Sequence, residues 1–535
     1  MKFALVMSVF VSVTLAAEPD WETWYMPAQG AYVHHQAYNL VVDRDGNSYV
    51  VGDTDQSDGN VNLVKFSPHG GQGWVASLPE STFDYYNMAL ALDANQNVIF
   101  ASNLVQGSSN GFMVAKFLRD GTQQWKTVHW HATSGPVPSS ATSVYLGLDQ
   151  AGGIYVAGTG IAGQTEEDIA VCKFDSTGNF RWARYFDGQR HSYDLGFGLA
   201  VAGNGVLVCG YALDEARRAN AVVVKYDTAG TLLWSYDYMP NSNYASRANW
   251  VGAAQDGSVY AAGNRSAVPG GQSEFLLVKL NSSGDTLWTR TDSGEAMSLA
   301  VDSDSGVYVV GDYGRYARTW RYSPTGQLLW RDAYESDTLG KWWGFACLAS
   351  DHCVYAVGGR YETPTVPPDF RVLKYSPSGQ ALWEGVYDTT DTYRDELCAA
   401  AVGPEDAVYL AGTRTHEAGD YSHYLLMKYR TSGGVEEPTG VPAGRVARIS
   451  VSPSIVSSRC AFMAPASTRG RALWVADVTG RIVRRFTLPA GNSESNSTVV
   501  WDATDERSMP VPDGVYFVTA GLAEGRLSAK LVVRR

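Results

Sequence analysis

Six cysteines in 535 residues are too few for a disulfide-built scaffold, and none forms a CxxC or CxxCH motif, which argues against structural zinc and attached haem. A large core must hold the fold instead. Beyond residue 17 no apolar run approaches the ~20 residues of a membrane-spanning helix. Runs of strong helix formers are scarce. So is positive charge: residues 1–440 carry 29 Lys and Arg against 48 Asp and Glu, a net of −19. That makes them a poor partner for nucleic acid or an anionic membrane, since both need a basic face. No GxSxG, HExxH, P-loop or dinucleotide glycine motif falls where strand and helix would support it.

What is present points to β structure: 55 Gly, 31 Tyr and 16 Trp, with turn residues at short intervals. Residues 1–17, MKFALVMSVFVSVTLAA, hold one Lys, an apolar stretch and then small residues, as a secretory signal does. The mature protein is therefore expected to be exported to the medium or the outer cell surface. Residues 441–535 carry 13 Lys and Arg against 7 Asp and Glu, a net of +6, so a domain boundary is expected near 440.

A fixed spacing recurs along the acidic part. Lys65, Gly70 and Trp74 are followed at the same intervals by Lys116, Gly121 and Trp125, by Lys173, Gly178 and Trp182, and by Lys225, Gly230 and Trp234. The series continues through Lys279, Gly284 and Trp288, through Arg321, Gly326 and Trp330, and through Lys374, Gly379 and Trp383; an eighth copy, Lys428 and Gly433, has Glu437 where Trp belongs. Between Lys and Trp stand turns such as SPTG, DSTG and NSSG. Their chemistry is that of a type I turn whose fourth residue takes positive φ, joining two antiparallel strands through a G1 bulge. Two alternating apolar segments precede each Lys, as in YNLVVDRDGNSYVVGD, so each repeat of 42 to 57 residues supplies four short strands, A to D. That is one propeller blade, and the large Trp opening strand D fits the wedge between neighbours.

The missing eighth Trp has a candidate. WETWYMP at 21–27 matches WSYDYMP at 234–240 in its Trp, Tyr, Met and Pro, so Trp21 is expected to supply strand D of blade eight. The fold class expected is all-β: an eight-bladed β-propeller over 18–434 closed by its N-terminal strand, a linker at 435–445, and a small immunoglobulin-like β-sandwich over 446–535.

Repeats of the form vvKYdxxGxxxW resemble bacterial seven-bladed propeller repeats and the tryptophan-docked blades of quinoprotein dehydrogenases and outer-membrane assembly propellers. The quinone-dependent enzymes imply an adjacent cysteine pair, which this sequence lacks. ISVSPSIVSS, WVADVTGRIVRRF, WDATD, VPDGVYFV and KLVVRR resemble the immunoglobulin-like C-terminal sorting domain of type IX secretion cargo and the related module of flagellar hook-capping proteins. The resemblance implies secretion machinery as a partner. Its Pro-Asn-Pro opening stands here as Pro453-Ser454-Ile455.

Chemistry is harder to place. His129 and His131 put two rings on one face of a strand, as a metal site needs, but no third ligand follows at a recognisable spacing. Asp-rich turns such as Asp43–Asn47 sit where ordinary hairpin turns occur in other repeats, and they lack the closing Glu of an EF-hand loop. No catalytic residue, metal or cofactor is assigned. The D-to-A connections, which converge on one face, carry Tyr85, Tyr86, Trp130, Tyr193, Tyr238, Trp250, Trp342, Trp343 and Tyr393. Aromatic planes beside Asp and Asn suit an extracellular glycan or a protein partner; the plainer alternative is that they pack the loops onto the ring. A monomeric, non-catalytic binding propeller is expected. The alternative is a polysaccharide-active or quinone-dependent enzyme on the same scaffold. Cys347 and Cys353 flank the A–B turn CLASDHC, and export favours a disulfide between them.

Overall fold

The computed structural model describes residues 16–17, 19–25, 35–53, 60–79, 83–106, 109–131, 143–161, 167–189, 191–239, 243–268, 270–313, 316–335, 340–361, 369–387, 393–416, 422–430, 450–452, 455–456, 460–464, 472–477, 481–487, 497–507, 509–521 and 526–533. The chain divides into two compact units, one spanning Thr14–Val435 and one containing Glu436–Arg535. No helix among the described residues is long and apolar enough to cross a membrane.

Among its described residues the larger unit is all-β apart from a short 3-10 turn, Pro404–Asp406. Among its described residues eight antiparallel sheets succeed one another, at 36–79, 83–130, 145–186, 195–238, 244–293, 295–335, 340–387 and 393–429; they are called sheets 1 to 8. Seven run through four consecutive strands, and sheet 7 gains a parallel fifth strand, Ala16–Ala17. In sheet 8 the fourth strand is Trp21–Tyr25, antiparallel to Ser422–Tyr429 with Trp21 opposite Lys428. First strands of successive sheets approach one another from sheet 1 to sheet 8, and that of sheet 8 approaches that of sheet 1. This is a β-propeller layout.

Burial follows from that layout. Second and third strands are covered on both faces, so Ile154–Ile161 and Ser422–Tyr429 are buried throughout and read as nearly continuous apolar runs. Between neighbouring sheets lie separate apolar clusters. One joins Phe112 and Val114 of sheet 2 to Val156 and Cys172 of sheet 3, and another joins Leu426 of sheet 8 to Val50 and Phe66 of sheet 1.

The repeated spacing has a tertiary meaning. Lys225 stands opposite Trp234 across the third and fourth strands of its sheet, and the register shifts immediately afterwards, placing a bulge before the turn. The turn glycine holds positive φ, +84° at Gly230 and +88° at Gly284. Each of these glycines receives the tryptophan of the sheet before it. The Trp182 ring lies against Gly230 and the Trp234 ring against Gly284, where a Cβ would come within 2.8 and 2.7 Å of them. The indole N–H then donates to the carbonyl two residues earlier, Thr228 at 3.2 Å and Ser282 at 3.0 Å. Lys173 reaches the same Thr228 carbonyl at 3.0 Å while its Nζ stands 4.8 Å from the centroid of the Tyr155 ring. Trp21 does for sheets 8 and 1 what Trp182 does for sheets 3 and 4: its indole donates to Pro68 O at 2.9 Å and its ring covers Gly70.

One sequence expectation, on the cysteines, changes. Cys347 and Cys353 are free thiols. Cys347 stands opposite Tyr355, and the hairpin closes with the Ala349 N–H donating to the Cys353 carbonyl, so the two cysteines are diagonal neighbours rather than a facing pair. Diagonal Cα atoms lie ~7–8 Å apart, beyond the reach of a disulfide. The Asp43 carboxylate accepts the Asp45 and Asn47 backbone N–H groups at 3.0 and 2.8 Å, so it braces its own turn.

The C-terminal unit holds a three-stranded and a five-stranded sheet. Phe462 and Trp501 of the first pack with Leu473, Val475, Tyr516 and Val518 of the second in one buried core. Asp477 and Arg481 bond to each other, Asp477 N–H to Arg481 O at 3.0 Å and Arg481 N–H to Asp477 Oδ1 at 3.1 Å.

Candidate functional site

Four of the nine aromatic residues have described side chains, and these four stand in different settings. Trp130 ends the fourth strand of sheet 2 and is 38% exposed; Tyr193, 42% exposed, lies in the connection from sheet 3 to sheet 4. Tyr238 is 8% exposed, packs in the core between sheets 4 and 5, and accepts a hydrogen bond from Arg265 at 3.0 Å. Trp250, opposite Ala262, packs against the cluster between sheets 5 and 6. Tyr238 and Trp250 are thus packing residues, and the plainer alternative holds for them. Tyr85, Tyr86, Trp342, Trp343 and Tyr393 have backbones in the first strands of sheets 2, 7 and 8, while their side chains lie outside the described residues.

A polar mouth opens instead across sheets 4 to 6. A cavity of about 490 Å³ is lined by Tyr211, Ser246, Arg247, Asn264, Ser273 and Glu295, among others. An adjoining recess of about 370 Å³ shares Ser273 and adds Arg265, Glu274 and Asp292. Bulges in the first strands make this possible. The register shifts after Ala248 in sheet 5 and after Ala296 in sheet 6, which bends the strand and re-aims the residues just before it, Arg247 and Glu295. Glycine is required opposite each bulge, because a Cβ on Gly263 would stand 2.0 Å from the Arg247 carbonyl oxygen and one on Gly311 1.8 Å from that of Glu295.

Within the mouth the donors and acceptors are already ordered. Arg247 Nε donates to its cross-strand partner Asn264 at 2.8 Å, and its guanidinium is 3.5 Å from Glu295; Asn264 Nδ2 donates to Ser273 Oγ at 2.9 Å. Arg265 is clamped harder, with 2.8 and 2.7 Å contacts to Glu274 Oε2 and its plane over Tyr244. Arg265 is therefore scaffold, whereas Arg247, partly exposed, keeps donors for a ligand. The signal for this mouth lies in the second-strand repeats VCGY and AAGN: the residue after the glycine, Tyr211 or Asn264, lines the cavity.

Between sheets 3 and 4 a second recess of about 370 Å³ is lined by Asp187, His191, Asp214 and Asp237, among others. One carboxylate oxygen from each of Asp168, Asp187 and Asp194 lies within 4.8 Å of the others. Asp194 accepts the Gly188 N–H on one oxygen and the Leu213 N–H on the other at 3.0 Å, so it clasps the 187–194 connection to sheet 4. Burial pushes Asp194 up to about 6 against those two donors, and Asp187 and Asp237 add to it. An unfolded Asp titrates near ~3.9, so the folded chain holds an extra proton between those values. This contribution to stability is full below about pH 4 and is lost as pH rises through about 6. Urea unfolding at pH 4 and pH 7 should show Asp194→Asn losing less stability over that interval than the natural chain; equal losses would overturn this.

His129 and His131 meet Cys172 of sheet 3, with one donor atom from each within 4.8 Å of the others. Burial, with His129 beside it, pulls His131 down to about 3, and burial raises the Cys172 thiol.

The SBBP beta-propeller repeat family matches residues 30–60, in keeping with the repeated four-stranded sheets. The matched stretch overlaps sheet 1 of the unit with the β-propeller layout. No curated protein matches it. Among solved structures it is similar to the WD40 domain of SCAP from fission yeast, at 10% identity and a TM-score of 0.44 over 77% of this chain and 99% of that one. It is also similar to the periplasmic gluconolactonase PpgL of Pseudomonas aeruginosa, at 13% and 0.37 over 66% and 94%. PorZ, an essential surface component of the type-IX secretion system of Porphyromonas gingivalis, matches at 10% and 0.21 over 95% and 100%. At these scores the likenesses are distant and decide neither fold nor role.

Proposed function

We propose that this propeller repeat protein is an exported, non-catalytic glycan-binding protein, with eight blades closed by its own N-terminal strand and an immunoglobulin-like C-terminal module for secretion or anchoring. The mouth over sheets 4 to 6 carries this reading. Its volume falls in the range of ligand cavities, and its lining of Arg247, Asn264, Glu295 and serines offers paired donors and acceptors to vicinal hydroxyls. Both Asp194 oxygens are taken by backbone N–H groups, so Asp194 braces its own connection rather than facing a ligand.

A glycan array probed with the full chain tests the mouth. Arg247→Ala should weaken any binding seen at least tenfold, about 1.4 kcal/mol, with an unchanged melting temperature. Binding unaffected by Arg247→Ala would move the site elsewhere, and a silent array would favour a protein ligand. The C-terminal role is read from the DVTGR and GVY stretches and the basic last strand. Removing residues 441–535 in the native host should leave a folded propeller in the periplasm; arrival at the surface at normal yield would end the sorting assignment.

A further inference from the structure

Between sheets 2 and 3 lies an apolar cluster, and two histidines stand at the end of the strand beside it. His129 and His131 stand at alternate positions at the end of the fourth strand of sheet 2, so both rings turn toward sheet 3. His129 stacks on Phe180, with centroids 4.0 Å apart and planes 4° apart. His131 is 2% exposed and wedged edge-on between Phe112 and Tyr185. Cys172, fully buried, completes a trio whose donor atoms lie within 4.8 Å of one another.

One imidazole nitrogen has no protein partner. His131 Nδ1 is 2.7 Å from the Tyr185 hydroxyl, whereas Nε2 is buried and makes no hydrogen bond. Buried ring nitrogens are ordinarily paired, and one left over calls for an explanation. Glycine is needed beside it: a Cβ on Gly160 would stand 2.9 Å from Nε2, so Gly160 lets the ring pack this close.

We propose that His129, His131 and Cys172 bind a zinc-class transition-metal ion between sheets 2 and 3. Two imidazoles and a thiolate form a borderline-to-soft donor set that suits zinc and disfavours calcium or magnesium. The Tyr185 hydroxyl, 2.7 Å from Nδ1, can accept Nδ1–H and so hold the tautomer that leaves the Nε2 lone pair for the metal. Metal–ligand distances of ~2.0–2.3 Å need donors about 3.5 Å apart, so the trio, within 4.8 Å, draws in by at most about 1.3 Å. Coordination releases the thiol proton to solvent, and no redox step is involved. Cys172 is the third ligand that the HxH spacing could not supply, because it comes from the next sheet.

The test uses the full chain freed of metal by a chelator and titrated with Co²⁺ as the spectroscopic stand-in for Zn²⁺. One equivalent should bind with a thiolate-to-cobalt charge-transfer band, and Zn²⁺ should displace it. Cys172→Ala should abolish the band, and Tyr185→Phe should weaken binding by about 10–100-fold. His129→Ala, at a partly exposed position, should weaken it at least tenfold while leaving the metal-free melting temperature unchanged. If Cys172→Ala fails to fold, the other two variants decide. Absence of the band in the natural chain, or equal Co²⁺ uptake by the natural chain and by His129→Ala and Tyr185→Phe, would overturn the site.

Discussion

A chain lacking residues 18–27 is expected to melt far below the intact protein and to associate in solution. The lost strand, Trp21–Tyr25, is the outer partner of Ser422–Tyr429, every residue of which is buried. Its removal also withdraws Trp21 from Pro68 and Gly70, and Tyr25 from Asn62, whose side chain donates to the Tyr25 hydroxyl at 2.9 Å. Two aromatic side chains at ~2 kcal/mol each, with the hydrogen bonds, amount to about 5 kcal/mol, comparable with the net stability of many domains. The bared edge is apolar and unprotected, which invites strand-to-strand association. Thermal unfolding and size-exclusion chromatography of both chains check this. An unchanged melting temperature with a monomeric peak would mean that the N-terminal strand is dispensable.

Gly284→Ala is expected to lower stability by about 3 kcal/mol. A Cβ at Gly284 would be 2.7 Å from the Trp234 ring, at a φ of +88°. The left-handed conformation alone costs an L-residue ~1–2 kcal/mol, and the rest comes from displacing the docked indole. Gly270 isolates the second contribution, since its φ is +77° and a Cβ there would meet nothing within 4 Å. Gly270→Ala should therefore cost only about 1 kcal/mol. Equal losses in chemical denaturation would show that Trp234 contributes nothing through this contact.

These cases separate two kinds of legibility. The glycine at positive φ, the bulge before it and the hairpin around it follow from residues within one turn, so SPTG and NSSG announce them directly. What the glycine receives is not local. The ring over Gly284 belongs to Trp234, from the sheet before, and the lysine of the same spacing serves a tyrosine of its own sheet and a carbonyl of the next. The Lys position is thus a tie between neighbours.

The candidate sites divide in the same way. Trp250 and Tyr238 looked like loop aromatics because sequence proximity to a turn does not tell which side of a bulged strand faces the core. Arg247 and Glu295 went unnoticed because each is one polar residue in a different sheet. By itself the sequence determined the repeat, its four-strand period, its turn chemistry and the acidic-to-basic change near 440, all properties of short windows of chain. Only the tertiary structure decided that Arg247 faces Glu295, that Cys347 misses Cys353 by one diagonal, and that Cys172 joins His129 and His131. The physical reason is that bulges and the packing of one sheet on the next set which side chains meet across a boundary, and that geometry is summed over whole sheets rather than carried by any one segment.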